Sequence, residues 1–268
     1  MRIRRVLFSL LVSGVFSALL LHVPAARARQ GDSPAAAAVE AQQAPLPVDQ
    51  VVAQLVQRNR EREEALRKFE GMRVYSVQYT GFFGAHSAEM TVDVHYVSPD
   101  NKQFTIVSQS GSKFIVDHVL KGLLDGEKEA ANAENKKRTA LNADNYDFSL
   151  AGMDSSDGTP QYILEVKPKK DSKFVYRGKI WVDGKDFAVT RIQAEPAKSP
   201  SFWVKKSEVN HRYEKVAGFW LPQENKTESW IRLGGKAVLS IEYQDYKITD
   251  PAPAQSVSTS PKPTVPSL

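Results

Sequence analysis

Cysteine is absent from all 268 residues, and this absence excludes several classes of protein. Without cysteine the chain has no disulfide framework, no thiol nucleophile and no thiolate metal site. A lipid-anchored bacterial lipoprotein needs a cysteine directly after its signal peptide, so the chain is not of that class. Any catalytic or metal site would have to use other side chains.

Familiar catalytic motifs are missing as well. There is no Gly-x-Ser-x-Gly, no phosphate-binding glycine loop and no Gly-x-Gly-x-x-Gly. Asp183 and Asp186 could serve acid–base catalysis, but they bracket Gly184 in a hairpin signal, where aspartate is favoured for turn geometry alone. The histidines beyond the N-terminal segment lack metal-site spacing: His86, His95, His118 and His211. The sequence therefore predicts no catalytic residue, no metal and no cofactor.

The excess of basic residues belongs mostly to the N-terminal segment. Lys and Arg number 36 and Asp and Glu 31, but residues 1–28 hold four arginines and no acid. The remainder has 36 − 4 = 32 basic against 31 acidic residues, a net charge of +1. This balance argues against a nucleic acid or another polyanion as partner. The densest basic stretch, Lys167, Lys169 and Lys170, predicts a solvated strand end.

Residues 1–28 have the pattern of a cleaved signal peptide. Three arginines precede an apolar run over Val6–Val23, and Ala26 and Ala28 supply the small residues that a signal peptidase requires. We expect cleavage after Ala28 and a periplasmic protein that is not lipid-anchored. The alternative is an uncleaved membrane anchor, because the run is near the lower length limit for a bilayer span.

Composition divides the rest of the chain into three parts. Residues 29–47 are rich in Ala, Pro and Gln and predict a flexible linker. Residues 250–268 are rich in Pro, Ser and Thr and predict a disordered tail. One folded domain is expected over residues 48–249.

Apolar periodicity predicts two helices and a long series of strands within this domain. A stripe of helical spacing predicts a helix over Val48–Phe69, ended by Gly71, and a second predicts a helix over Lys113–Arg138, with possible breaks at Gly122 or Gly126. Alternating patterns predict strands over residues 74–80, 88–97, 102–109, 146–151, 161–167, 178–183, 187–194, 202–213, 219–221 continuing into 227–232, and 237–248.

The apolar positions of these elements are the candidate ligand-binding residues. Within each strand they alternate with polar positions and so share one face. They are Tyr75, Val77, Tyr79, Met90, Val92, Val94, Tyr96, Leu120, Leu123, Leu164, Val166, Ile180, Val182, Leu239, Ile241 and Tyr243. One interpretation is an ordinary core that the helices cover, and the other is incomplete coverage that leaves a cavity.

Four large aromatic side chains near Pro200 and Pro222 allow two interpretations. They could line an opening for acyl chains or serve as packing anchors. They are Phe202, Trp203, Trp220 and Trp230.

Short blocks in the second half of the chain carry a resemblance to a known family. They are residues 178–183 (Gly-Lys-Ile-Trp-Val-Asp), 187–192 (Phe-Ala-Val-Thr-Arg-Ile), 201–203 (Ser-Phe-Trp) and 219–222 (Phe-Trp-Leu-Pro). Together with the order of an exported helix, three strands, a helical insert and a long meander, they resemble the periplasmic outer-membrane lipoprotein-sorting superfamily, the Lol-type carriers. The resemblance spans residues 48–248.

The resemblance implies an α+β fold with a particular shape. A strongly curved antiparallel sheet would form an unclosed β-barrel, with helices filling or covering its concave face. The hollow would take the acyl chains of a lipoprotein or another lipid, since each buried CH₂ contributes about 0.8 kcal/mol. In the founding carriers a polar residue inside the cavity ties down the lid. No residue of this chain aligns with it, and Arg191 is suggested for that role only because it lies on an otherwise apolar strand.

The leading hypothesis is therefore a non-enzymatic periplasmic carrier that moves acyl chains toward the outer membrane. Its partners would be lipoprotein acyl chains or lipid, with an inner-membrane transporter or an outer-membrane receptor, and it would be a monomer. The alternative is a sensor module that binds lipid or lipoprotein on the same fold and reports to a membrane partner. A hydrolase with an unrecognised site is the third and weakest hypothesis.

Overall fold

The computed structural model describes residues 45–249, except residues 83, 100, 131–132, 157, 200 and 233. The predicted signal peptide, most of the predicted linker and the predicted tail lie outside the described residues. Within the described part, no helix combines the length and the apolar character that a membrane span requires.

All ten described strands form one antiparallel sheet. The strand order is β3-β2-β1-β10-β9-β8-β7-β6-β5-β4, so β3 and β4 are the edges and the sheet is unclosed. The prediction of an unclosed antiparallel sheet accompanied by helices is confirmed, and the fold is mostly β. The strands are β1 Lys68–Gly81, β2 Gly84–Val97, β3 Asn101–Gly111, β4 Tyr146–Asp154, β5 Gln161–Pro168, β6 Tyr176–Asp183, β7 Val189–Pro196, β8 Val204–Val216, β9 Phe219–Ile231 and β10 Lys236–Thr249.

The N-terminal helix, α1, spans Val48–Ala65 and ends before its predicted end at Phe69. Phe69 instead belongs to β1, where it is paired with Tyr96 on one side and Ile248 on the other. Its ring stacks on that of Tyr96 with 5.2 Å between the centroids. Gly71 therefore lies inside a strand rather than at a helix end. Cross-strand packing has overridden a helical spacing that continued by chance.

The helical insert, as we call the segment between β3 and β4, is divided differently from the prediction. It comprises α2 (Lys113–Ile115), a π-helical stretch (Val116–Leu120), α3 (Lys121–Ala130) and α4 (Ala133–Thr139). The predicted breaks at Gly122 or Gly126 are wrong, because α3 runs through both glycines.

Three further strand boundaries differ for local reasons. β7 begins at Val189 because Phe187 adopts a φ of 48° in the preceding turn. β8 begins at Val204, and Phe202 lies in the turn before it. β9 is one continuous strand in which Pro222 lies at a register irregularity opposite Tyr213, a place where the missing N–H is tolerated.

One face of the sheet is buried from strand to strand. Directly paired residues of neighbouring strands point to the same face. The register joins one such row across eight strands: Leu164, Ile180, Ile192, His211, Asn225, Ile241, Tyr75 and Met90. Each of these residues is buried, so both helical segments lie on this face.

Two apolar clusters occupy the buried face. In the first, which we call the α1 cluster, Val51, Val52 and Leu55 of α1 pack with residues of β4 to β8. In the second, the insert cluster, residues 115–124 of the helical insert pack mainly with β1, β2 and β10. A polar strip on β8 and β9 separates much of the two clusters, and its buried members are Ser207, His211, Asn225, Thr227 and Ser229.

Candidate functional site

All sixteen candidate ligand-binding residues are buried, with side chains between 0 and 8% exposed. The structure does not bring them into a single group. Leu164, Val166, Ile180 and Val182 belong to the α1 cluster. Tyr79 lies outside both clusters, and its hydroxyl donates to the carbonyl oxygen of Gly234 at 3.3 Å. The other eleven belong to the insert cluster, among them Leu120 and Leu123 of the insert itself.

The helical insert is fixed to the sheet by a buried ionic contact. The carboxylate of Glu127, on α3, accepts from Arg73 of β1 at 2.5 Å and from Lys102 of β3 at 3.0 Å. The hydroxyl of Tyr75 donates to the same carboxylate at 2.9 Å. We call Arg73, Tyr75, Lys102 and Glu127 the Glu127 cluster. It ties one helix to two strands through charged hydrogen bonds, the strongest that side chains make.

Burial and charge act in opposite directions on Glu127. Its side chain is only 1% exposed, and burial alone would raise the pKa of the carboxyl group. The positive charges and hydrogen bonds of Arg73 and Lys102 outweigh burial and lower that pKa to about 2. Glu127 is therefore ionised at neutral pH. Aromatic rings close the site further, since the Arg73 guanidinium lies 4.8 Å from the ring centroid of Tyr243.

None of the sequence predictions included this cluster, although the sequence contains a signal for it. The predicted strand began at residue 74, which placed Arg73 outside the alternating pattern. The observed strand continues that pattern through Arg73, so an arginine points to the buried face. Glu127 likewise falls on the apolar stripe of the insert, three residues after Leu124. A charged residue at an inward position of both elements would have indicated the pair.

Arg191, the sequence candidate for fixing the lid, lies elsewhere. It is paired with Trp181 in the sheet, and its guanidinium lies 4.7 Å from the centroid of that ring. The neighbouring Ile192 points to the buried face, so Arg191 points to the opposite face, away from the helices. The prediction for Arg191 is wrong, because a side chain on this face of the sheet does not reach the helices.

The polar residues considered for catalysis have structural partners. Asp183 accepts hydrogen bonds from the backbone amides of Lys185 and Asp186 and thereby shapes the β6–β7 turn. Asp186 accepts from the indole nitrogen of Trp220 at 2.8 Å. No group of three or more His, Asp or Glu side chains able to hold a metal ion occurs in the described part of the chain.

His211 occupies the centre of the polar strip. It is 1% exposed, stacks on Tyr213 with 4.5 Å between ring centroids and contacts Asn225 through Nδ1. Burial lowers its pKa to about 3, so the ring is neutral at physiological pH. Its Nε2 and the Tyr213 hydroxyl are buried without a hydrogen-bond partner in the described structure. The middle of the covered face is thus polar, whereas its flanks are apolar.

The four aromatic side chains considered for a rim lie at two different ends of the sheet. Trp220 follows the β8–β9 turn, packs against the α1 cluster and bonds to Asp186. Phe202, Trp203 and Trp230 lie at the opposite end, where Phe202 is 74% exposed.

A basic cleft of about 710 Å³ lies at the same end as Phe202. The end of α4, the turn before β4, the β5–β6 loop and the β7–β8 loop form its walls. Its charged lining consists of Arg138, Lys169, Lys170, Lys173 and Lys198 with Asp144 and Asp171. Five cations therefore face two carboxylates in a chain whose overall charge is nearly balanced.

Sequence comparisons find limited similarity to known proteins. A family model described as "Uncharacterized protein" matches residues 131–255, less than half of the chain. No curated protein matches the sequence.

The structural neighbours include lipoprotein-sorting proteins, as the sequence resemblance predicted. A putative outer membrane lipoprotein-sorting protein domain from Vibrio parahaemolyticus is 10% identical, with a TM-score of 0.41 over 75% of this chain and 93% of its own. A DUF1329 family protein from Desulfovibrio piger is 18% identical, with a TM-score of 0.38 over 80% and 95%. A LolA superfamily protein from Nitrosomonas europaea is 11% identical, with a TM-score of 0.33 over 77% and 95%. These scores are below 0.5, so the likeness carries no functional argument.

Proposed function

We propose that the chain is a non-enzymatic periplasmic carrier that binds the acyl chains of lipoproteins or of other lipids. The sheet would curve around its helices as a half-barrel, and the ligand would lie between the sheet and the helical insert. The observation that carries the proposal is a sheet face on which helices cover two apolar clusters, one of these helices being fixed by the Glu127 cluster.

The binding step would exchange one apolar covering for another. The insert side chains cover the strand residues of the insert cluster, so an acyl chain must displace them. An acyl chain of about 15 methylenes gains roughly 12 kcal/mol on leaving water. Disrupting a buried ion pair costs about 3–5 kcal/mol. The gain from the acyl chain opposes both the loss of the Glu127 cluster and the exposure of the displaced insert side chains, and release needs no covalent chemistry.

Titration with a fluorescent fatty acid tests this proposal. Delipidated protein should bind the probe with saturation, and protein purified from its own envelope should carry lipid in native mass spectrometry. Protein that neither takes up the probe nor carries lipid would refute the carrier function.

The Glu127 cluster provides a sharper version of the same experiment. Lys102→Met removes one of the two ionic contacts and leaves the Arg73–Glu127 pair intact. Uptake of the probe should accelerate in this variant. Lys173→Met is the matched control, because it removes an exposed pair with Glu129 on the same helix. Equal rates in the two variants would exclude the insert as the moving cover.

The sensor module remains the second candidate because β3 is an exposed edge strand. Its residues 105–111 are exposed, including Ile106 and Val107, and it pairs with β2 alone. Such an edge can add a strand from a partner protein. A pull-down from envelope extract separates the two functions: a carrier should recover an inner-membrane transporter or lipoproteins, and a sensor should recover a signalling protein.

A further inference from the structure

The turns at one end of the sheet combine cations with aromatic side chains. Because neighbouring strands are antiparallel, the β1–β2, β5–β6, β7–β8 and β9–β10 connections all lie at this end, which we call the cleft end. The basic stretch that the sequence analysis interpreted as a solvated strand end, with Lys169 and Lys170, forms one wall of the cleft.

Two of the cleft lysines are available to an outside anion. Lys170 and Lys198 are exposed and make no ion pair or hydrogen bond with any residue that the structure describes. The other cations are partly compensated: Lys173 pairs with Glu129 at 3.1 Å and Arg138 with Glu134 at 2.5 Å. The unpaired lysines belong to two separate loops, so the positive charge spans the cleft.

Aromatic side chains continue from the cleft along the same end. Ser199 lines the cleft, and Phe202 follows it in the same loop. The Phe202 ring packs edge-on against Trp203 at 5.2 Å, and the Arg232 guanidinium from the β9–β10 turn lies 5.3 Å from its centroid. Trp230 lies between Lys206 and Lys236, at 5.7 and 5.3 Å. Phe202 is thus accompanied by Arg232, and Trp230 by two lysines that also pair with Glu208 and Glu228.

We propose that the cleft end docks on the surface of an anionic phospholipid bilayer. Aromatic side chains are favoured at the level of the lipid headgroups, and lysine and arginine beside them are attracted to lipid phosphates. Phe202 would enter the interface, and Lys170 and Lys198 would contact phosphate groups. The β6–β7 and β8–β9 turns lie at the other end, so the molecule would stand on the membrane with a defined orientation. This inference does not depend on the carrier function.

Co-sedimentation with vesicles tests the docking surface in the absence of any acyl ligand. The protein should bind vesicles that contain phosphatidylglycerol, with weaker binding at high salt, and should bind phosphatidylcholine vesicles far less. Each lysine contributes roughly fivefold in affinity at low salt, so K170E/K198E should weaken binding by more than tenfold. Phe202→Ser should weaken it severalfold and should leave its dependence on salt unchanged.

The matched control reverses two exposed lysines at the other end of the sheet. Lys185 lies in the β6–β7 turn and Lys247 near the end of β10. K185E/K247E changes the net charge equally and should leave binding within about twofold. Equal losses in both double variants, or no binding to anionic vesicles, would overturn the proposal. Displacement by millimolar inorganic phosphate would also overturn it and would indicate a site for soluble anions.

Discussion

The two halves of the covered face are held by different kinds of interaction. Under α1, Val51, Val52 and Leu55 pack on apolar strand residues, and the buried guanidinium of Arg62 donates to the backbone carbonyl oxygen of Asp186. Under the helical insert, apolar packing is joined by the buried carboxylate of Glu127. Apolar contact is non-directional and tolerates small displacements. A buried charged contact adds hydrogen bonds whose strength depends on alignment.

This difference suggests different roles for the two coverings. α1 is held by apolar contact and by a hydrogen bond from Arg62 to a backbone carbonyl, whereas the insert is held by apolar contact and a buried ion pair. Under the proposed function, α1 is the permanent part of the core and the insert is the part that moves. Separate substitutions in the contacts of α1 and in those of the insert measure how much each covering contributes to stability.

The largest effect is expected from Glu127→Gln. This change leaves Arg73 and Lys102 buried without a carboxylate, and we expect the free energy of unfolding to fall by about 3–5 kcal/mol. Urea denaturation at pH 7 measures it. Glu129→Gln, on the same helix, breaks only an exposed pair with Lys173 and should cost less than about 1 kcal/mol. Similar losses of unfolding free energy in both variants would contradict the conclusion that the buried ion pair of Glu127 stabilises the insert.

Leu55→Ala removes an apolar contact between α1 and the sheet. Leu55 is fully buried in the α1 cluster, and the cavity should cost about 3 kcal/mol of unfolding free energy. Val56→Ala, at an exposed neighbouring position, is the control and should be nearly neutral. The rate of probe uptake should stay at the wild-type value in Leu55→Ala. An acceleration would show that α1 also moves.

As the pH falls, stability should be lost first through His211, at the boundary between the two halves, and then through Glu127 of the insert. The pKa of His211 is lowered by burial from 6.5 to about 3 in the folded protein, so stability is complete above pH 6.5 and is lost as the pH falls. Between pH 7 and pH 5 the loss should be about 2 kcal/mol. His211→Gln should flatten this part of the pH profile in urea titrations; a profile that is unchanged in the variant would refute the assignment.

Glu127 should act in a lower window. Its folded pKa of about 2 lies below the ordinary 4.5, so its contribution is present above pH 4.5 and disappears as the pH falls toward 2. Glu127→Gln should remove this second slope and leave the first in place.

The smallest loss of unfolding free energy is expected at Arg191, the residue that the sequence suggested for fixing the lid. Arg191→Met loses a contact with the Trp181 ring on the uncovered face and should cost about 0.5–1 kcal/mol. Arg73→Met should cost several times more, because it leaves Glu127 buried with fewer counter-charges. Thermal unfolding of the two variants under the same conditions measures the difference. Equal decreases in the unfolding temperature would contradict the conclusion that Arg73, and not Arg191, holds the insert.

Local patterns predicted the strands well and the contacts between distant segments poorly. The alternation of Met90, Val92 and Val94 is a property of neighbouring residues, and it placed them correctly on a buried face. The Glu127 cluster joins residues 54 and 25 positions apart, and the basic cleft joins four separate segments. No local period encodes such contacts. Phe69 and Phe202 were misassigned because a spacing continued beyond the element to which it belonged.

The position of β10 has a consequence for how the protein can be made. β10 lies between β1 and β9, so it alone joins the first three strands to the remaining six. A chain interrupted before Lys236 would have two sheet fragments, each with an unpaired edge at the seam. β1 pairs with β10, which is the last strand to be synthesised. Such a long-range pairing makes folding slow and leaves incomplete chains open to proteolysis. The complete sheet therefore forms only after the last strand, β10, has been synthesised.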